Sequence, residues 1–235
     1  MIDKTTKTLD NTDFDAGEVL LIDKIFNVSS FSVVGRIKRI LQIKKAGHAG
    51  TLDPFATGLL IVCTGKMTKQ IHEFQDLPKT YTGTIKLGEK TPSMDAETEP
   101  IFVGDFNHLT KEIIVEAKKK FEGEIEQIPP MYSAIKHNGK SLYKLARKGR
   151  EIEREPRKVS VARFEIKEVE LPYVKFEVEC SKGTYIRVLA NDLGEELGCG
   201  GYLTELRRTR IGFYKVEDAL LTDELKELRE LDASI

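Results

Sequence analysis

The chain has little of what metal, redox and membrane chemistry need. Its 235 residues include three cysteines, at 63, 180 and 199, and four histidines. The cysteines form no CxxC pair, and the histidines are scattered without metal-ligand spacing. That pattern reads as a reduced, intracellular, metal-free protein. No apolar run approaches the roughly 18–20 residues a membrane span requires. The opening "MIDKTTKTLDNTDFDAG" is too polar for a secretion signal, so the expected location is cytoplasmic. Phosphate-cradling glycine loops fail too. "GLLIVCTGKMT" has the wrong gap and a methionine after its lysine, and "GTIKLGEKT" puts Glu89 between glycine and lysine. "GCGG" (198–201) lacks the strand-to-helix setting of a dinucleotide site. Internal repeats and low-complexity segments are missing as well.

What is present is an ordinary globular composition, 40 % hydrophobic and 8 % aromatic, long enough for a large core. Residues 1–16 carry Asp, Thr and Lys with little to bury and are expected to form a loose tail. One domain is expected over 17–235. "EVLLIDKI" (18–25) and "LLIVC" (59–63) read as strands, and Ser29 or Ser30 is placed to cap a helix through Leu41. "MTKQIHEF" reads as a short helix. Alternation predicts strands over 81–87, 159–169 and 173–180, and helices fit 109–121 and 186–197. Strands and helices mix without a βαβ rhythm. The expected fold is α+β, with a mixed, mainly antiparallel central sheet flanked by helices and loops.

The net charge of −1 hides a segregated pattern. Arg36, Lys38, Arg39, Lys44 and Lys45 precede Asp53 with no acid among them. A second basic run, from 136 to 158, includes Lys136, Lys140, Lys144, Arg147 and Lys148, near Tyr132 and Tyr143. A third contains Arg207 and Arg208, while acid collects after Glu217. Three basic runs, two beside aromatic residues, favour a polyphosphate or nucleic-acid partner.

Within "KKAGHAGTLDPFATGLL" (44–60), Asp53 stands alone between cations and a proline. Pro54 biases Asp53 toward extended backbone, and the nearby glycines would let another molecule approach closely. Such a carboxylate among cations suits a nucleophile or general base better than a proton donor. Asp-Pro on its own is also a common turn opener.

"GHAGTLDPFATGLL" resembles the signature of the TruB family of tRNA pseudouridine synthases. "KTYTGTIKLG", "PPMYSAIKHNGKSLYKLARKG", "CSKGTYIRVLANDLGEELG" and "LRRTRIG" resemble that family's later segments, in family order. The resemblance implies the pseudouridine synthase fold with a basic RNA-binding insertion near 130–158. It implies isomerisation of a flipped-out uridine at position 55 in the tRNA T-arm, without metal or cofactor. Asp53 would be catalytic, and Tyr81 would lie against the base. Arg187 would pair with Asp53, and Tyr185 would point to the same side if "GTYIR" is extended. Leu206 would line the pocket, His48 would enter the T-loop, and Lys136 and the insertion would grip phosphates. "TPSMDAETEP" (91–100) departs from the family's usual acidic turn by lacking a glycine. The short stretch after Tyr214 implies a catalytic domain without a C-terminal PUA domain. A monomer with no obligatory protein partner is expected. The alternatives are a guide-dependent or other-RNA pseudouridine synthase, a non-catalytic RNA-binding module, and an RNA N-glycoside hydrolase.

Overall fold

Apolar runs with no polar alternation need cover on both faces, and the N-terminal third meets that need with a strand pair. The computed structural model describes residues 1–133, 135–137, 139–146 and 148–232. Elements β1 (Val19–Lys24), α1 (Ser30–Ile40), β2 (Ala46–His48), β3 (Thr57–Thr64), α2 (Ile71–Asp76) and β4 (Lys79–Leu87) come first. Short strands β5 (Glu89–Lys90) and β6 (Ile101–Phe102) precede α3 (Lys111–Lys118) and β7 (Gly123–Gln127). The basic segment forms a ribbon, β8 (Lys136–His137) with β9 (Lys140–Ser141), followed by α4 (Leu142–Ala146). Then come β10 (Arg157–Glu170), β11 (Tyr173–Cys180), α5 (Ile186–Glu196), β12 (Gly201–Ile211), β13 (Tyr214–Lys215) and α6 (Thr222–Asp232).

The chain divides into two compact units, residues 1–81 with 206–235 and residues 82–205. In the first unit β1 and β3 pair antiparallel, with Leu20 opposite Val62 and Ile22 opposite Leu60. β2 adds to β3 antiparallel, and β12 adds to it in parallel. Alternate residues of β1 and β3 serve two cores. Leu20, Ile22, Leu60 and Val62 pack with Val33, Val34 and Ile37 of α1 and Leu225 of α6. Val19, Leu21, Leu59, Ile61 and Cys63 pack on the other side with Ile211 and Val216. Ser29 caps α1 by accepting from Ser32 N at 3.1 Å, which leaves the Ser30 hydroxyl for another task.

The second unit contains the order β4-β11-β10-β7, with β10 antiparallel to both its neighbours. Phe164 of β10 and Phe176 of β11 meet edge to face, centroids 5.6 Å apart. Ile114 of α3 and Leu189 and Leu193 of α5 are buried. The expected α+β class with a mainly antiparallel sheet is the one observed. Sequence periodicity misses β12, whose arginines and threonines interrupt any clean alternation, and also the shorter strands such as β2 and β7.

The opening residues differ from the expected loose tail. Ile2 N donates to Val19 O and Leu21 N to Ile2 O, at 2.8 and 3.0 Å, so Ile2 bridges to the edge of β1. Ile2, Leu9 and Phe14 are buried in the same core as α1. Three apolar side chains spaced through a polar stretch suffice to dock it. Leu9→Ala should therefore lower stability by about 2–4 kcal/mol, readable in urea denaturation. A residue in a loose tail would cost no more than about 0.5 kcal/mol.

Candidate active site

Asp53 lies in a segment, 51–56, that has neither helix nor strand, closed by a turn in which Ala56 N donates to Asp53 O at 3.1 Å. Buried polar side chains from distant parts of the first unit hold this loop. Lys24, 1 % exposed at the end of β1, donates to Ile25 O, Val28 O and Pro54 O at 3.1, 2.7 and 3.1 Å. Ser30, at the start of α1, accepts from Leu52 N at 2.8 Å and donates to Leu52 O at 3.0 Å. Arg208 of β12 donates to Leu59 O at 2.8 Å and Gly50 O at 3.1 Å. The residues on both sides of Asp53 are thus tied down, and its own side chain is half-buried.

Two expectations about this region are corrected. The third basic run predicts Arg208 on phosphate, but at 1 % exposure it is an internal brace whose donors face main-chain carbonyls. The glycines around Asp53 suggest room for another molecule. Gly58 instead has φ +105°, and a Cβ there would fall 2.3 Å from Arg208 O, so at this glycine the space is taken by the chain's own β12, whereas a Cβ at Gly50 would meet only Arg208 Nη1, at 3.7 Å.

His48, on β2 opposite Val62, is half-buried. Burial, and after it the Arg208 guanidinium, holds its pKa below the usual 6.5. The ring is therefore neutral at pH 7, as suits stacking. Tyr81 is 9 % exposed on β4, two residues after Lys79. The Lys79 ammonium donates to Gln75 O and Leu77 O at the end of α2, both at 2.5 Å, fixing the start of the strand. Leu206 is buried on β12. Burial raises the Cys63 thiol to about 11, so this neighbour in β3 offers no thiolate.

Tyr185 and Arg187 belong to the second unit. Tyr185 is the extended residue before α5, and the helix begins at Ile186. Strand alternation therefore does not govern where these two side chains point. Gln127, which sequence reasoning misses, clamps Tyr185 through both backbone groups, at 2.9 and 3.2 Å. Arg187 is 3 % exposed and donates to Ser93 O at 3.0 Å and Tyr132 O at 2.8 Å. Its guanidinium also lies 3.4 Å from the buried Asp95 carboxylate. The glycine-free stretch 91–100 is held by its own polar groups. Ser93 Oγ donates to Asp95 Oδ1 at 2.6 Å, and the same oxygen accepts from Glu97 N at 3.0 Å.

The predicted phosphate-binding cations divide into groups. Arg36 pairs with Asp223 of α6. Arg207 holds Asp23 with both guanidinium nitrogens, at 3.0 and 2.7 Å. Among the described residues no ion pair engages Lys38, Lys44, Lys45, Lys144 or Lys148, and Arg39 donates only to Gly35 O at 3.4 Å. Lys44, Lys45, Lys144 and Lys148 are exposed. Arg147 lies outside the described residues, as do the side chains of Lys136 and Lys140. Tyr132 and Tyr143 of the basic segment meet edge to face at 6.0 Å. Among the described residues no group of three His, Cys, Asp or Glu could hold a metal, and no helix is long and apolar enough to cross a membrane.

Comparison with known proteins gives these features a family. Residues 38–186 match the TruB family pseudouridylate synthase N-terminal domain. Residues 187–234 match the tRNA pseudouridylate synthase B C-terminal domain, a stretch that the sequence alone merges with the catalytic domain. A tRNA pseudouridine synthase B of Chloroherpeton thalassium is 50 % identical over 216 residues, 90 % of each chain. That of Flavobacterium johnsoniae is 51 % identical over 211 residues, covering 87 % of this chain and 92 % of the relative. A solved Cbf5-Nop10-Gar1 complex contains a chain of similar fold, with TM-score 0.71 and 32 % identity. The match covers 96 % of this chain but only 61 % of that one. The chain belongs to the TruB family of pseudouridylate synthases.

Proposed function

We propose that this protein is an isomerase that converts uridine to pseudouridine in tRNA, at position 55 of the T-arm, with Asp53 as the reacting carboxylate. One observation carries the assignment of Asp53: a half-buried acid on a loop tied at both adjoining residues by buried Lys24 and Ser30. The identity of about 50 % to tRNA pseudouridine synthase B chains of similar length supports tRNA as substrate. The guide-dependent alternative has weaker support, because the Cbf5 chain is 32 % identical and much longer than the match.

Asp53 attacks or otherwise assists at C1′ as the bond to N1 breaks. The detached base turns, C5 bonds to C1′, and the proton released from C5 ends on nitrogen, so substrate and product are isomers. The reaction consumes neither water nor a redox partner. A single anchored carboxylate fits this chemistry. A hydrolase of glycosidic bonds would ordinarily need a second carboxylate to activate water. Tyr81 lies against the extruded base, the neutral His48 ring enters the T-loop, and Arg187 and Tyr185 are required for turnover. Extrusion costs a few kcal/mol, and stacking on protein rings returns about 1–3 kcal/mol per base. Lys38, Arg39, Lys44 and Lys45 take phosphates from the first unit, and Lys144 and Lys148 from the second. The protein acts alone, as a monomer in the cytoplasm.

Purified protein incubated with unmodified tRNA and no other component should form pseudouridine, located by chemical mapping. Asp53→Asn should abolish it while tRNA affinity falls by less than about tenfold, or 1.4 kcal/mol. Turnover within tenfold of the parent would remove Asp53 from the chemistry. Release of free uracil would point instead to hydrolysis.

The two kinds of cation separate by salt dependence. Replacing Lys44 and Lys45 together with Ala should reduce the log–log salt slope of tRNA binding by about 0.7–0.9 for each phosphate no longer neutralised. Arg208→Lys should leave that slope unchanged and lower the unfolding midpoint, because it loses bonds to buried carbonyls.

A further inference from the structure

The two residues that tie the Asp53 loop bracket a short connection whose bulky side chains face water. Between Lys24 and Ser30 the chain leaves Phe26 64 % exposed and Ile25 48 % exposed, and the next residue, Phe31, is 82 % exposed. Single exposed apolar residues are common on any surface, but three bulky ones within seven positions exceed that scatter. Core packing does not demand it. Val28, Val33, Val34 and Ile37 enter the core from the same connection and helix, and the chain reverses at Asn27, which adopts φ 59°. Asparagine tolerates that left-handed backbone better than most residues, and the reversal lets Phe26 leave the core as Val28 enters it.

The backbone that carries these rings is tied to the Asp53 loop. The Lys24 ammonium bonds the carbonyls of both Ile25 and Pro54, so the backbones preceding Phe26 and following Asp53 share one anchor. Ser30, adjacent to Phe31, holds Leu52, adjacent to Asp53. Along α1, Gly35 and Lys38 follow Phe31 at four and seven residues and so lie on its face of the helix. A Cβ at Gly35 would meet nothing within 4 Å, leaving the ring open to a flat group. No ion pair engages Lys38 among the described residues.

We propose that Phe26 and Phe31 form a stacking platform for unpaired bases of the RNA substrate next to the target uridine, with Lys38 taking a neighbouring phosphate. This rests on the reading above that the substrate is tRNA. A base offers a π-face to an exposed aromatic ring and a phosphate to the cation two turns further on, which together match a nucleic acid strand. A protein partner would have no need of this tie to the Asp53 loop.

The test measures the tRNA dissociation constant and the steady-state parameters of pseudouridine formation at matched ionic strength. Phe31→Ala should weaken binding and raise KM on the order of tenfold, as loss of one stacked base does, with a much smaller effect on kcat. Phe26→Ala should act in the same direction. Phe31→Tyr should restore parental values, while Phe31→Leu, apolar but without a ring face, should not. Lys38→Ala should lower the salt slope of binding by about 0.7–0.9, and the phenylalanine variants should leave it unchanged. Binding and KM within twofold of the parent for Phe31→Ala would overturn the proposal. Full rescue by Leu would also overturn it, because it would show an apolar contact without stacking. Because binding is measured independently of turnover, a parent that binds tRNA but forms no pseudouridine would defeat the functional reading and leave this one standing.

Discussion

The Lys24 ammonium, buried at the end of β1, is the constraint from which the arrangement around Asp53 follows. An isolated buried cation costs several kcal/mol, which only complete hydrogen bonding offsets. Three carbonyls accept from this one, those of Ile25, Val28 and Pro54. Each charge-assisted bond contributes about 1.5–3 kcal/mol toward that offset. Meeting that demand forces the connection after β1 to curl back and brings the residue after Asp53 to the end of the strand. Ser30 and Arg208 act in the same way on Leu52 and Gly50. The loop carries no regular structure, and its rigidity is borrowed from the core beneath it.

In the role proposed for Asp53, that borrowing is what would let one carboxylate serve a rearrangement. The reaction breaks and remakes a bond at one carbon, so the acid must stay in register with that carbon while the base turns. A displacement of about 1 Å can cost a hundredfold in rate. Short apolar strands buried on both faces supply the fixed frame. The cations proposed to meet the substrate, such as Lys44 and Lys45, are exposed side chains without carboxylate partners among the described residues. Those that hold the protein, Lys24, Lys79, Arg187 and Arg208, are buried on carbonyls, Arg187 also beside the Asp95 carboxylate.

The apolar runs of β1 and β3, the alternation of β4 and β11 and the helical face of α1 are legible because burial imposes their periods directly. Asp53 stands out because no other acid lies near it in the sequence. Less is legible where one residue type can do opposite jobs. Arg207 and Arg208 are neighbours on β12, yet one is partly exposed in an ion pair and the other is internal, because adjacent strand residues face opposite ways. Leu9 and Phe14 are hidden by the polar residues around them, since docking needs only a few apolar side chains. Ser30, Gln127 and Asp95 act through bonds to groups distant in sequence, which no local pattern announces.

The central claim is that Asp53 is effective because its neighbours are pinned, and Ser30→Ala tests it most directly. The change removes one oxygen, keeps the Ser29 cap and leaves the apolar packing of α1 intact. Single-turnover pseudouridine formation with saturating protein should slow at least about tenfold, while tRNA affinity stays within about threefold and the variant remains folded. A folded Ser30→Ala protein with the parental single-turnover rate would contradict the account.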